Sequence, residues 1–378
     1  MKQTMTTTLH QLDQALYECI SGIDILEAVA PVNYKEERAR FFQSNFSLNP
    51  RFAYNEHNVD LFKTKRALYQ LPVESLQDSD LETLYGDIIE SYVDKLDQFK
   101  SVGTTDFLYD SLRYYGEPSP KDIGNARFIL HLPDDLDPRQ DTLLDAAVIA
   151  SRLDVFGQRY GYEYQISLHD SMIANALVSG LRIKVNSSAR VTQTELDALA
   201  HHELGVHLVT TLNARKQPLR ILTLGSPVNT TTQEGLAILC EYLSGNLTLS
   251  RLKILALRVL AVQSMMQEKD FKQTFLMLKE QYQVLDEQAF TITARVYRGG
   301  GFTKDFLYLQ GLHQMMNAYE QRDDFNNLLA GKASLEQLPL ITRLIEKGIL
   351  SAPELISPAI ESPQHIDPVK KFIAHAIK

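Results

Sequence analysis

Residues 192–218 read TQTELDALAHHELGVHLVTTLNARKQP. Thr192 and Glu195 form an S/T-x-x-E capping box, in which each side chain satisfies a backbone N–H of a helix's first turn. A helix is therefore predicted from residue 192 to about 212. Inside it stands His202-Glu203-Leu204-Gly205-Val206-His207, an H-E-x-x-x-H. The shorter H-E-x-x-H pattern sets two histidines one turn apart on one face, where they bind zinc with the glutamate as general base. One extra residue changes this. At ~100° per residue, positions i and i+5 lie ~140° apart around an α-helix, so the two imidazoles diverge. Two readings remain. Either a single-turn π-bulge at 204–206 realigns the histidines, or the segment is a buried helix with two hydrogen-bonded histidines. Gly205 favours the bulge, because a mid-helix glycine costs ~1 kcal/mol against alanine and relaxes the backbone there.

A catalytic zinc needs a third protein ligand and a position left open for water. Thr231-Thr232-Gln233-Glu234-Gly235-Leu236-Ala237 offers Glu234, expected in the first turn of a helix running to about 243. Two ligands from one helix and a glutamate from the next make the gluzincin layout. Thr231 and Glu234 also fit a capping box, in which the glutamate only serves the helix terminus. Glu241, seven residues on, shares that face; it is the rival ligand or the partner that orients a ligating histidine. His201 points ~100° away from His202 and reads as structural or supporting. His169 and Asp170 follow a strand-like run, with His169 a fallback ligand.

Outward from this segment, residues 5–100 show apolar residues at i, i+3, i+4 and i+7 and read as helices. Two prolines and a glycine at 115–123 mark a boundary. Strand-like runs follow at 126–132 (ARFILHL), 162–168 (YEYQISL) and 181–187 (LRIKVNS), with a helical stretch between the first two. LRIKVNS is expected as the edge strand beside the 192–212 helix, free to pair with an extended substrate. The expected fold is α+β and mostly helical, with a small mixed sheet beside the histidine-bearing helix. A helical N-terminal region occupies 1–115, and 116–378 forms the second unit, mixed over 124–190 and helical over 191–378.

The 378 residues carry a net charge of −9, are 44% hydrophobic and 22% charged, and contain two cysteines and no tryptophan. Disordered and disulfide-framework classes are excluded. Residues 1–150 hold 14 Lys and Arg against 25 Asp and Glu, which argues against a nucleic-acid partner. No stretch approaches the ~18–20 apolar residues of a membrane span. The N-terminus lacks the apolar core of a signal peptide. Cys19 and Cys240 form no metal-type pair, so a reducing, cytoplasmic setting is expected.

HHELGVH, NARKQP, TTTQEGLAILCEYL (230–243) and RVYRGGGFTKDFLYLQG (295–311) together resemble the QEGLA-motif proteins. Bacterial members of that family carry the label of flavohaemoglobin expression modulators, and eukaryotic relatives include the microtubule-associated tyrosine carboxypeptidases. The resemblance spans about 108–319 and includes YDSLRYYGEPS (109–119). It implies a zinc metallopeptidase of gluzincin type with one Zn2+ per chain. His202, His207 and Glu234 would be the ligands and Glu203 the base. The spacing is also similar to that of dipeptidyl peptidase III, whose corresponding helix tolerates an insertion. The eukaryotic relatives remove a C-terminal tyrosine from tubulin; the reaction type carries over better than the target.

The cation-rich run 295–304 supplies further candidates. Arg295, Tyr297, Arg298 and His313 are expected to stabilise an oxyanion. Arg298, then Arg295 and Lys304, are expected to hold a substrate's terminal carboxylate. Gly299-Gly300-Gly301 would let backbone N–H groups form an anion nest beside Arg298. The expectation is a zinc metallocarboxypeptidase acting on a peptide or protein C-terminus, releasing tyrosine or another aromatic residue. A zinc aminopeptidase or dipeptidyl peptidase, with Asp170 or Glu241 receiving the substrate amine, is the first alternative. A non-enzymatic regulator of expression is the second.

Overall fold

The capping box forms as the sequence requires. In the computed structural model the Thr192 hydroxyl accepts the Glu195 N–H, and the Glu195 carboxylate accepts the Thr192 N–H at 2.8 Å. The structure describes residues 2–56, 59–133, 142–170, 172–225, 229–365 and 367–377. From that cap the chain runs as α-helix over Gln193–Leu199, as π-helix over Ala200–Leu208 and as α-helix again over Val209–Lys216. Leu204, Val206 and Leu208 are fully buried, so this rod passes through the interior. A helix buried on all sides has no solvent face to lose when its pitch changes, which lets it carry the wider turn.

Helix Asn229–Leu243 lies against the π-helical stretch on one side and against helix Leu307–Gln321 on the other. The second contact is backbone to backbone. A Cβ on Gly235 would sit 2.3 Å from the carbonyl carbon of Gly311, and one on Gly311 would sit 2.2 Å from the Thr231 oxygen. Both glycines are needed for this approach, and it brings the two helices' side chains to one place. Helix Leu249–Glu268 closes the core by packing on helix Pro120–Leu130.

That last helix corrects the strand expected at 126–132. Ser119 and Asp122 cap it reciprocally and Pro120 occupies its first turn. ARFILHL is too short an apolar run for its period to separate a strand from a buried helix. The other two runs do form strands. Gln165–His169 pairs in parallel with Arg182–Asn186, and Ala176–Ser179 pairs antiparallel with the other side of Arg182–Asn186. The strand within LRIKVNS is thus the central one, and Ala176–Ser179 is the edge strand beside the π-helical stretch. The sequence order concealed this because the third strand returns between the first two. Leu144–Asp145 and Arg190–Val191 make a separate two-stranded ribbon.

The result is a mostly helical α+β fold with small sheets. The N-terminal helices do not stand apart. Their core, from Leu9 to Phe107, includes Leu219, Ile221, Phe302, Ile341 and Leu344. Buried Asp13 ties the two regions together, accepting from Tyr85 Oη at 2.8 Å and from the N–H groups of Arg220 and Ile221 at 2.7 and 3.1 Å. Among the described residues, no helix is long and apolar enough to cross a membrane.

The Gly235–Gly311 crossing predicts that Gly235→Ala destabilises the protein by about 1–3 kcal/mol through overpacking. Urea unfolding of the variant measures this; an unchanged midpoint would show that the helices can separate freely.

Candidate active site

The π-helical turns bring the histidines together. Bonds of the i→i+5 type make residues five apart near neighbours, and the His202 and His207 ring centroids lie 5.0 Å apart. The unwinding extends over nine residues, Ala200–Leu208, rather than the single turn expected at 204–206. Two hydroxyls then serve carbonyls at its exit: Thr210 Oγ1 is 2.9 Å from the Val206 oxygen, and Thr211 Oγ1 donates to His207 at 2.8 Å.

Glu234 faces the pair. Its Oε2 lies 3.7 Å from His202 Nε2 and 3.8 Å from His207 Nε2. All three donor atoms fall within 4.8 Å of one another, and this is a group that could hold a metal ion. Helix Asn229–Leu243 begins earlier than expected, so Glu234 occupies its second turn and Thr231 lies inside the helix rather than at its cap. The other carboxylate oxygen, Oε1, accepts from Lys304 Nζ at 2.6 Å. Lys304 also reaches Tyr308 Oη at 3.0 Å.

Glu241 supports rather than joins the three. It lies 2.7 Å from His202 Nδ1 through Oε1, and it accepts from Arg251 Nη2 at 3.1 Å and Nε at 3.2 Å. A carboxylate on Nδ1 fixes the His202 ring so that Nε2 faces Glu234. Glu203 is buried beside them, and its Oε2 accepts the Val178 N–H of the edge strand at 3.0 Å.

The charges respond to this crowding. Burial pushes the Glu203 carboxyl up to about 7, the neighbouring Glu234 adding to the rise while the His202 charge opposes it. Burial pulls His202 down, but its bonds to Glu234 and Glu241 outweigh that and push it up to about 10. His207 lacks a second carboxylate of the Glu241 kind, and burial, only partly opposed by Glu234, pulls it down to about 3. Burial favours the neutral acid at Glu234 as well, yet Lys304 and the histidines hold it well below the usual carboxylate range. One wall of the site is therefore a matched ion network, and the other is a carboxyl poised to exchange a proton.

His202, Glu203, His207 and Glu234 line a cavity of about 350 Å³, together with Arg295, Arg298, Lys304, Tyr308 and Lys332. A second cavity of about 270 Å³ lies behind His202 and Glu203 and is lined by Arg251 and Arg258. The predicted cations have different standings. Arg295 is committed to buried Asp305 through Nε and Nη2, the latter at 3.0 Å. Arg298 rests over the Phe302 ring, and its Nε has no acceptor among the described residues.

Two predicted oxyanion residues lie elsewhere. Tyr297 turns its hydroxyl to Thr274 at 3.0 Å and its ring to Phe271, and His313 lies 3.1 Å from Asn317 on its own helix. Neither lines the cavity that holds Arg298. The expected anion nest is also absent at Gly299–Gly301. Gly300, at φ 114, is pressed so close to the Thr104 carbonyl that a Cβ would sit 2.2 Å from it, and Gly299 N–H donates to Tyr54 Oη. These glycines serve packing against the N-terminal region. His201 packs edge-on to Phe156, with burial pulling it down to about 4. His169 and Asp170 bond to Ser167 and Ser187 and line neither cavity.

Tyr308, Arg251 and Lys332 went unrecognised in the sequence. Only Tyr308 left a signal, at i+4 from Lys304 on one helical face.

A sequence profile of the microtubule-associated tyrosine carboxypeptidase family matches residues 39–378. The match takes in both helices of the site and the 295–311 run, and the chain belongs to that family. This places it, at the level of the family, among carboxypeptidases. No curated protein matches the chain.

Asp305 is fully buried; burial raises its carboxyl, but Arg295 and Arg258 outweigh this and hold it well below the usual range. Asp305→Ala strands the Arg295 guanidinium and should cost about 3–5 kcal/mol. Because the folded carboxyl is depressed, its contribution is complete well above the unfolded value of ~3.9 and is lost progressively as pH falls from there through the depressed folded value. Denaturant midpoints of wild type and variant should therefore keep a constant gap from pH 7 to about 5 and draw together below about pH 4; a gap that stays constant down to about pH 2 would contradict the pairing.

Proposed function

We propose that the chain is a zinc-dependent carboxypeptidase that removes the last residue of a peptide or protein. The supporting observation is the convergence of His202, His207 and Glu234, with Glu203 adjacent, on a cavity rich in cations.

Two imidazoles and a carboxylate are a donor set that suits zinc. Tetrahedral zinc with bonds of about 2.0–2.1 Å spaces its ligand atoms ~3.4 Å apart, close to the 3.7 and 3.8 Å between Glu234 Oε2 and the two Nε2 atoms. Glu241 on Nδ1 of His202 and Lys304 on Oε1 of Glu234 leave Nε2 and Oε2 as the inward donors. Bound there, zinc supplies Lewis-acid polarisation of the scissile carbonyl and lowers the pKa of water.

The chain's own groups do the rest. Glu203 takes a proton from the attacking water and delivers it to the leaving amide nitrogen. Tyr308 Oη accepts from Lys304, so its own hydrogen is free to be donated to the developing oxyanion. Ala176–Ser179 offers an edge along which extended substrate backbone can pair.

The cavity's charge favours a substrate carboxylate over an amine. Its carboxylates, Glu203 and Glu234, are already assigned as base and ligand, whereas Arg298 and Lys332 lack such a task. The amine acceptors needed by an aminopeptidase are occupied: Glu241 by His202 and Arg251, Asp170 by Ser187. Release of tyrosine in particular rests on the family's name.

Peptides sharing one sequence and ending in a free or an amidated carboxylate test this reading. Wild type should release only the last residue of the free form, amidation should abolish release, and Glu203→Gln should lower the rate by about 10²–10⁴. Equal product from Glu203→Gln, or cleavage unaffected by amidation, would overturn it.

A further inference from the structure

One wall of the main cavity comes from outside the residues that match the family. Leu26, Ala30, Pro31 and Tyr34 line it, whereas the match begins at residue 39. Across the cavity, Ile173, Ala174 and Leu177 present an equally apolar surface. The ionic groups, Arg298, Lys304 and Lys332, complete the same chamber.

The wall is built rather than draped. Asp24 caps its first helical turn, accepting the N–H of Leu26 at 2.9 Å. Val32 N–H donates to the Ala53 carbonyl at 2.9 Å, and Asn33 brackets 51–53 through both ends of its amide, at 2.9 and 2.8 Å. The Tyr34 ring stacks on Phe52 and meets Phe290 at 5.8 Å. Yet Leu26 remains 44% exposed and Ala30 is exposed as well. An anchored backbone that leaves apolar side chains uncovered at a cavity is the design of a specificity pocket.

We infer that segment 26–34 is the specificity element of this chain, forming with Ile173, Ala174 and Leu177 an apolar pocket for the side chain of the residue to be released. This rests on the carboxypeptidase reading, which puts that residue's carboxylate among the cations of the same chamber. At about 350 Å³ the chamber stands near the lower end of small-molecule sites, suited to one large residue rather than a run of chain. The reacting groups, and Ile173, Ala174 and Leu177 with them, lie within the family-matched region, whereas segment 26–34 does not.

The test uses the full-length protein and N-acetylated peptides that are identical except for a last residue of Tyr, Leu or Ala. Rates are compared in wild type, and binding is titrated in the Glu203→Gln background, where turnover is suppressed. Tyr- and Leu-ended peptides should be preferred over Ala-ended ones. Ala30→Trp, which fills the pocket from an exposed position, and Leu26→Asp, which charges it, should each lower that preference at least ~10-fold, the scale on which apolar pockets discriminate. An unmoved ratio in both variants, an equal fall for all peptides, or an absence of preference in wild type would overturn the inference. If no peptide is cleaved but the binding preference exists and shifts with Ala30→Trp, the wall stands and the carboxypeptidase reading falls.

Discussion

The site depends on one departure from α-helical geometry. Five residues separate His202 from His207, a spacing that an α-helix would splay across two faces. Nine residues of π-helix, Ala200–Leu208, bring both rings to the face that meets Glu234. The surroundings make this turn tenable. Leu204, Val206 and Leu208 anchor the stretch in the core, Thr210 and Thr211 serve carbonyls at its exit, and Gly205 admits Ser357 Oγ where a Cβ would sit 3.2 Å away.

Every other feature of the site works to keep that convergence aimed. The Gly235–Gly311 crossing draws helix Asn229–Leu243 against Leu307–Gln321, which sets Glu234 within reach of Lys304 just upstream. Arg251 holds Glu241, and Glu241 lies on Nδ1 of His202. Arg295 and Asp305 neutralise each other in the same interior, and their pairing fixes the stretch that carries Lys304 and Tyr308. Buried charges this dense are tolerated because nearly all are matched. Of the exceptions among the described residues, Arg298 and Lys332 line the main cavity and Arg258, whose Nε lacks a hydrogen-bond partner, lines the second.

How much of this could be read beforehand follows from range. The Thr192–Glu195 cap and the need for a bulge between His202 and His207 are local and were legible. Glu234 as the facing carboxylate came from the family resemblance, since the pattern of two helices left a capping role and the rival Glu241 open beside it. The 126–132 run was not, since a short apolar stretch is consistent with either period and its helix is decided by the Ser119–Asp122 cap upstream. The edge strand was misplaced because the third strand, Arg182–Asn186, returns between the first two, an order that sequence does not reveal. Tyr297 and His313 failed for a similar reason: nearness to Arg298 along the chain says nothing about which side of a helix faces the cavity. The glycines at 299–301 are explained by contacts with residues 103–108, far away in sequence. The acidic front half, where the sequence pointed to no part of the site, supplies a wall of the cavity through Leu26 to Tyr34.

The central claim is that the π-helical turn and Glu234 together make one zinc site. The most direct measurement is zinc binding by titration calorimetry on the metal-stripped protein, with metal content determined independently. One tight site per chain is predicted, lost in His202→Ala, His207→Ala and Glu234→Ala but kept in Glu203→Gln. Zinc bound equally well by wild type and the three ligand variants, or not bound at all by wild type, would contradict the account.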